Sequence, residues 1–159
     1  MDNRAENKRR EYELLVKQAL ALLGEERDLI ANSANLSALL FNNLDELNWV
    51  GLYFRRGDEL VLGPFQGQVA CVRIPMGRGV CGTAAASGEV QRIYDVHQFE
   101  GHIACDAASN SEIVIPLFNR GEVVAVLDID SPIVGRFDEV DQEYLQQIAE
   151  ILTHNSDWP

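Results

Sequence analysis

The chain has 159 residues, 47% of them hydrophobic and 24% charged, the balance of one compact globular domain with a real core. Its formal net charge of −12 argues against a nucleic-acid or anionic-membrane partner, since either needs basic surface to offset phosphate repulsion. The opening stretch MDNRAENKRREYE is charged from its second residue and no apolar run approaches membrane-spanning length, so neither a signal peptide nor an anchor is expected and the chain reads as cytoplasmic.

Between residues 11 and 23, Tyr12, Leu15, Val16, Ala19, Leu20 and Leu23 recur at helical spacing before Gly24, which predicts a first amphipathic helix. A second helix is predicted from about Asp28 to Leu47, its leucine stripe interrupted by Asn32, Ser33 and Asn43. NWVGLYF and LVLGPF flank a turn centred on Gly57 and Asp58 and predict an antiparallel hairpin, and QVACVRI supplies a third strand. A short helix over 79 to 87 and the strand VQRIYD lead into an irregular stretch from about Val96 to Ser111, the kind of long span that forms a lid or binding loop. EIVIPLF and EVVAVLDID around NRGE form a second hairpin, and a helix near 138 to 153, with Asp138 at its N-cap, closes the chain. His154 and Trp158 fall in a tail expected to be loose. The order predicts a single α+β domain over residues 1–159, an antiparallel sheet with the N- and C-terminal helices (about 8–47 and 138–153) on one face. The sheet, short helix and active-site loop occupy about 48–131.

GRGVCG, residues 77 to 82, matches G-x-G-x-x-G, the fingerprint of a pyrophosphate cradle. Pro75 and Met76 separate it from the strand, and the helix after it stops at Gly88 after barely two turns, whereas a dinucleotide crossover needs a longer helix. Cys81 sits inside the turn, where a cofactor loop has no need of a thiol.

Three cysteines without C-x-x-C spacing do not make a secreted disulfide framework, which leaves burial, metal or redox chemistry. Cys105 lies in the irregular loop with His97 and His102 near in sequence, placed either as an activated thiolate or as a buried inert thiol. Cys71 in its strand and Cys81 on the short helix read on their own as core packing. Separations of ten and twenty-four residues, with no paired knuckle, speak against a zinc site built from the thiols, so no metal is expected. In VVAVLDID the strand period puts Asp128 and Asp130 on one face, within about 7 Å of each other, where like charges raise one another's pKa. Glu112 opens the partner strand, so a three-carboxylate cluster is geometrically possible, serving as an acid or as a holder of an ammonium group if the face is enclosed. Trp49, at the start of the first strand, is either a wall of a small pocket or an ordinary core aromatic.

GRGVCGTAAASGEVQRIYDV resembles a GAF domain, in which the glycines form the turn into a short helix bordering a ligand pocket. NWVGLYF, LGPFQGQVACVRIPMGRGVCG, DVHQFEGHIACDAASNSEIVIPLF and VLDIDSP are similar to the free methionine-(R)-sulfoxide reductases, small single-domain GAF enzymes, over most of residues 48 to 132. That resemblance implies a GAF-like sheet with the ligand pocket under loops on the face opposite the helices. It also implies an oxidoreductase acting on free L-methionine-(R)-sulfoxide in the response to oxidative stress. Cys105 would be the nucleophile, Cys71 the resolving thiol of a redox-active disulfide, and Trp49, Glu112, Asp128 and Asp130 the substrate pocket. Glu112 or one of the aspartates, Asp130 among them, would be the acid. Cys81 belongs to the motif and either shares in disulfide exchange or packs. No bound cofactor is implied; electrons come from thioredoxin, supplied by NADPH through thioredoxin reductase, and members are often homodimers. Two other readings of the same residues are a GAF sensor that binds a small ligand without turnover and a thiol redox sensor; against the first, no output domain or linker follows the terminal helix.

Overall fold

The computed structural model describes residues 3–103 and 107–159. Helix α1 (Asn3–Leu23) buries Tyr12, Leu15, Ala19 and Leu23, and its solvated first turns carry it beyond the apolar stripe that announces it. Helix α2 (Leu29–Asn43) starts where Asp28 accepts the Ala31 N–H at 2.8 Å. It stops at Asn43 rather than running on to Leu47, because Leu44 turns extended and Glu46 takes a left-handed φ of 63°. Leu44 and Leu47 still pack on the core, so their spacing imitated a further helical turn that the chain does not make.

Strands β1 (Trp49–Arg56) and β2 (Glu59–Gly67) form the expected hairpin, with Arg56 opposite Glu59. A bulge places Gly63 and Pro64 of β2 against Leu52, the sort of irregularity that accommodates proline within a sheet. The third strand is much shorter than QVACVRI suggests: β3 is Arg73–Pro75 alone. Upstream of it, aromatic side chains of β1 take backbone carbonyls that a ladder would use, Trp49 Nε1 donating to Gln68 O at 3.1 Å and the Tyr53 hydroxyl to Cys71 O at 2.8 Å. Helix α3 (Gly79–Ser87), ended by left-handed Gly88, then leads to β4 (Gln91–Ile93) at the far edge. The hairpin of β5 (Ser111–Asn119) and β6 (Glu122–Ser131) lays β6 beside β1. The six strands run in the order β3-β2-β1-β6-β5-β4, every pairing antiparallel.

Strand alternation divides the sheet into two faces. Val50, Leu52, Phe54, Ile113, Ile115, Leu127 and Ile129 face one core with the buried residues of α1, α2 and helix α4 (Glu139–His154), whereas Trp49, Tyr53, Val114 and Val126 face a second with Val80, Cys81, Ala84 and Ala85 of α3. Asp138 caps α4 in a reciprocal box with Asp141. The fully buried Asp141 also accepts from the Tyr12 hydroxyl at 2.5 Å, Lys8 Nζ at 2.6 Å and Arg136 Nη1 at 3.3 Å, which fixes α1 on α4. The tail is not loose. Asn32, one of the polar interruptions of the α2 stripe, donates to Asn155 O and Ser156 Oγ. Trp158 donates to Thr153 O and meets Phe54 edge-on at 6.2 Å, while His154 is the last residue of α4 and its carbonyl accepts from Arg27. Among the described residues no helix is long and apolar enough to cross a membrane.

Candidate active site

The face of the sheet opposite the terminal helices carries the site. Across the three central strands the register sets Trp49 beside Asp130 and Asp130 beside Glu112; the next row on that face is Gly51, Asp128 and Val114. The three carboxylates are thus brought together, each only 6 or 7% exposed. Helix α3 lies over them and delivers Cys81. One atom each from the Cys81 thiol and the Glu112 and Asp128 carboxylates lie within 4.8 Å of one another.

Burial, with the charges of Asp128 and Asp130 beside it, pushes the Glu112 carboxyl well above the ordinary carboxylate value. Burial, and after it the neighbouring Asp128, Glu112 and Asp130, push the Cys81 thiol well up. Glu112 is therefore held protonated and Cys81 as a thiol. The pKa of His102, which lines the pocket, is lowered by burial and by His97, so it is neutral near pH 7.

Beside the acids stands an aromatic wall. The Trp49 indole stacks between Phe65, at 5.2 Å between centroids, and Tyr53, at 5.9 Å. Glycine makes this possible: a Cβ on Gly51 would come within 2.7 Å of the indole, and one on Gly67 equally close. Tyr53 was missed in the sequence, although its place four residues after Trp49 on one strand puts it on the same face. Its hydroxyl holds the Cys71 carbonyl. Cys71 itself is half-buried, packs against the second core and is disulfide-bonded; it lies just outside β3 rather than within a strand. Cys81 is a free, buried thiol; Cys105 lies outside the described residues.

Arg78, His102, Ile103 and Ser109 also line the pocket; of these the sequence drew attention to His102, while the other three gave no signal of a binding role. Two anchors fix the pocket loop: Asn48 Nδ2 donates to Ser109 Oγ at 3.0 Å, and Asn110 exchanges backbone bonds with Val96 and Ser131. The glycine trio has a structural reason. Gly77 and Gly79 have φ of 82° and 62°, and a Cβ on Gly82 would lie 2.5 Å from Pro75 O. The turn brings the first residues of α3, Gly79, Val80 and Cys81, to the pocket wall; the first N–H groups of a helix have no acceptor within it, and the positive end of the helix dipole lies at that end.

A six-stranded antiparallel sheet with helices behind it and a loop-roofed pocket in front defines a GAF domain, and the model of the GAF domain family matches residues 31–154. Within that family the chain belongs with the free methionine-R-sulfoxide reductases. It is 56% identical over 143 residues to the free methionine-R-sulfoxide reductase of Escherichia coli, covering 90% of this chain and 87% of that one. It is 58% identical to protein YtsP of Bacillus subtilis, over 96% of this chain and 94% of that one. A solved structure of fRMsr of Staphylococcus aureus in complex with substrate matches with a TM-score of 0.87 and 53% identity, covering 91% and 94% of the two chains.

Proposed function

We propose that the chain reduces free L-methionine-(R)-sulfoxide to L-methionine. The observation that carries this reading is the enclosed carboxylate row of Glu112, Asp128 and Asp130 beside the Trp49 wall and a disulfide-bonded Cys71, in a chain with close relatives that bear that name. A free amino acid brings an ammonium group, which the ionised acids attract, and an α-carboxylate, which suits Arg78 and the α3 N-terminus. Its methyl and sulfur end suits the indole. A peptide-linked methionine sulfoxide has no free ammonium and is rejected.

In this reading the Cys105 thiolate attacks the sulfoxide sulfur while the protonated Glu112 supplies a proton to the oxygen, with Asp130 sharing that proton network. The oxygen passes from the substrate sulfur to the Cys105 sulfur as the transient sulfur–sulfur bond breaks, so methionine leaves reduced and Cys105, oxidised by two electrons, becomes a sulfenic acid. The Cys71 thiol condenses with it, forming the Cys71–Cys105 disulfide and expelling water. A dithiol such as thioredoxin, itself reduced by NADPH through thioredoxin reductase, returns both thiols and is oxidised to its own disulfide. No bound metal, flavin or nicotinamide takes part. Cys81 stays a thiol throughout, and the working form is a homodimer in the cytoplasm.

The test is thioredoxin-coupled NADPH oxidation with the R and S epimers of free methionine sulfoxide and a peptide-bound sulfoxide offered separately. Turnover of the free R epimer alone is expected. Silence on all three, with dithiothreitol as reductant also silent, would refute the reading and favour a ligand-binding GAF module.

A further inference from the structure

We propose that the pocket floor is also a binding site for a thiophilic divalent cation, zinc, held by Cys81, Glu112 and Asp128, and that its occupancy shuts out substrate. One donor atom from each of the three residues already lies within 4.8 Å of the other two, and all three side chains are more than nine-tenths buried. Among its neighbours Asp128 is the acid that acts most strongly on both Cys81 and Glu112, and its Oδ1 is buried with no hydrogen-bond partner among the described residues. That unmet acceptor in a closed acidic site is costly unless a cation or donor reaches it.

The donor set selects the ion. Tetrahedral zinc holds sulfur at about 2.3 Å and carboxylate oxygen at about 2.0–2.2 Å, so its donors stand about 3.5 Å apart. Donors already within 4.8 Å of one another would have to close by at most about 1.3 Å to reach that spacing, and the backbones that carry them belong to α3, β5 and β6. A thiolate with two carboxylates suits zinc and disfavours magnesium and calcium, which require all-oxygen shells. Three protein donors leave a fourth position toward the mouth for water. The ion would occupy the carboxylates that the proposed substrate ammonium needs, so zinc and substrate compete. This competition rests on the reductase reading; the binding itself does not.

The test uses the oxidised protein, in which Cys71 is tied in its disulfide and Cys81 is the free thiol among the described residues. Wild type, Cys81→Ser and Asp128→Asn proteins are incubated with zinc chloride and desalted, their fold is checked by circular dichroism, and zinc is counted by mass spectrometry. The wild type is expected to retain about one zinc per chain, Cys81→Ser to lose it, and Asp128→Asn to bind at least about tenfold more weakly. Equal zinc in wild type and both folded variants, or none in the wild type, would overturn the site. In the coupled assay, with the thioredoxin system first shown to tolerate the zinc used, added zinc is expected to raise KM and leave kcat unchanged; loss of kcat that saturating substrate does not relieve would overturn the competition. A protein inactive on every sulfoxide that still binds zinc through Cys81 would sink the reductase reading and leave the site standing.

Discussion

Replacing Gly51 by Ala tests whether the indole wall is seated as the sheet places it. The new methyl carbon would stand 2.4 Å from Phe65 Cβ and 2.7 Å from the edge of the Trp49 ring, about an ångström and somewhat less short of ordinary contact. Neither neighbour has an easy escape. Phe65 Cβ is fixed to the β2 backbone, whose Cα lies at 3.0 Å, and the indole is clamped by Phe65, Tyr53 and the carbonyl of Gln68. Overpacking of this kind costs about 1–3 kcal/mol, and with about 2–4 °C per kcal/mol for a domain of this size, a 2 kcal/mol loss lowers Tm by about 4–8 °C. Of the two, the ring yields at the lower cost, since its contact is at a side-chain edge and that of Phe65 is at Cβ and Cα; strained out of its clamp it would tilt into the pocket, and KM for the sulfoxide should rise several-fold with a smaller change in kcat. Thermal unfolding by circular dichroism and the coupled assay read the two effects. Fluorescence in a Trp158→Phe background isolates the Trp49 signal, since the chain has two tryptophans. A variant with unchanged Tm, KM and emission would refute the placement of the indole over this glycine.

Glu112→Gln removes the proposed proton donor and should lower kcat at least about a hundredfold. The same variant tests linkage: folded Glu112 keeps a proton that the unfolded chain releases. Wild-type stability should therefore fall as pH rises above the ordinary carboxylate range, and that slope should be reduced in the Gln variant; parallel Tm profiles would contradict it. Tyr53→Phe loses the bond to the Cys71 carbonyl, worth about 1 kcal/mol, and should slow disulfide formation after a single turnover while leaving the methionine burst intact. Asp141→Asn leaves Lys8 and Arg136 without their buried carboxylate; a loss of about 3 kcal/mol in urea unfolding is expected, and a change under 1 kcal/mol would count against the α1–α4 anchor. Cys105→Ser should abolish turnover with thioredoxin and with dithiothreitol alike.

Local pattern made much of this molecule readable in advance. The period of two along VVAVLDID already put Asp128 and Asp130 on one face, and the short NRGE connection brought Glu112 toward them, because a hairpin fixes register over a few residues. The cap at Asp138, the stop at Gly88 and the turn at Gly57 and Asp58 were legible for the same reason: each depends on neighbours in sequence. The three-cysteine spacing and the motifs around it carried the resemblance to the reductase family. Where local signals misled, a distant partner intervened. QVACVRI alternates like a strand, but Trp49 and Tyr53 capture its carbonyls; Trp158 sits in a polar tail, but Phe54 and α4 give it a berth.

What the sequence determined by itself was the set of elements, the faces of its strands and the residue types available for chemistry, all consequences of backbone periodicity and turn chemistry. Tertiary structure alone decided that β6 pairs with β1, which sets Trp49 against Asp130. It also laid α3 over the acids, which gives Cys81 its acidic neighbours and raises Glu112. Those outcomes depend on non-local pairing and on exclusion of water, and burial is a property of the whole packed chain rather than of any stretch of it.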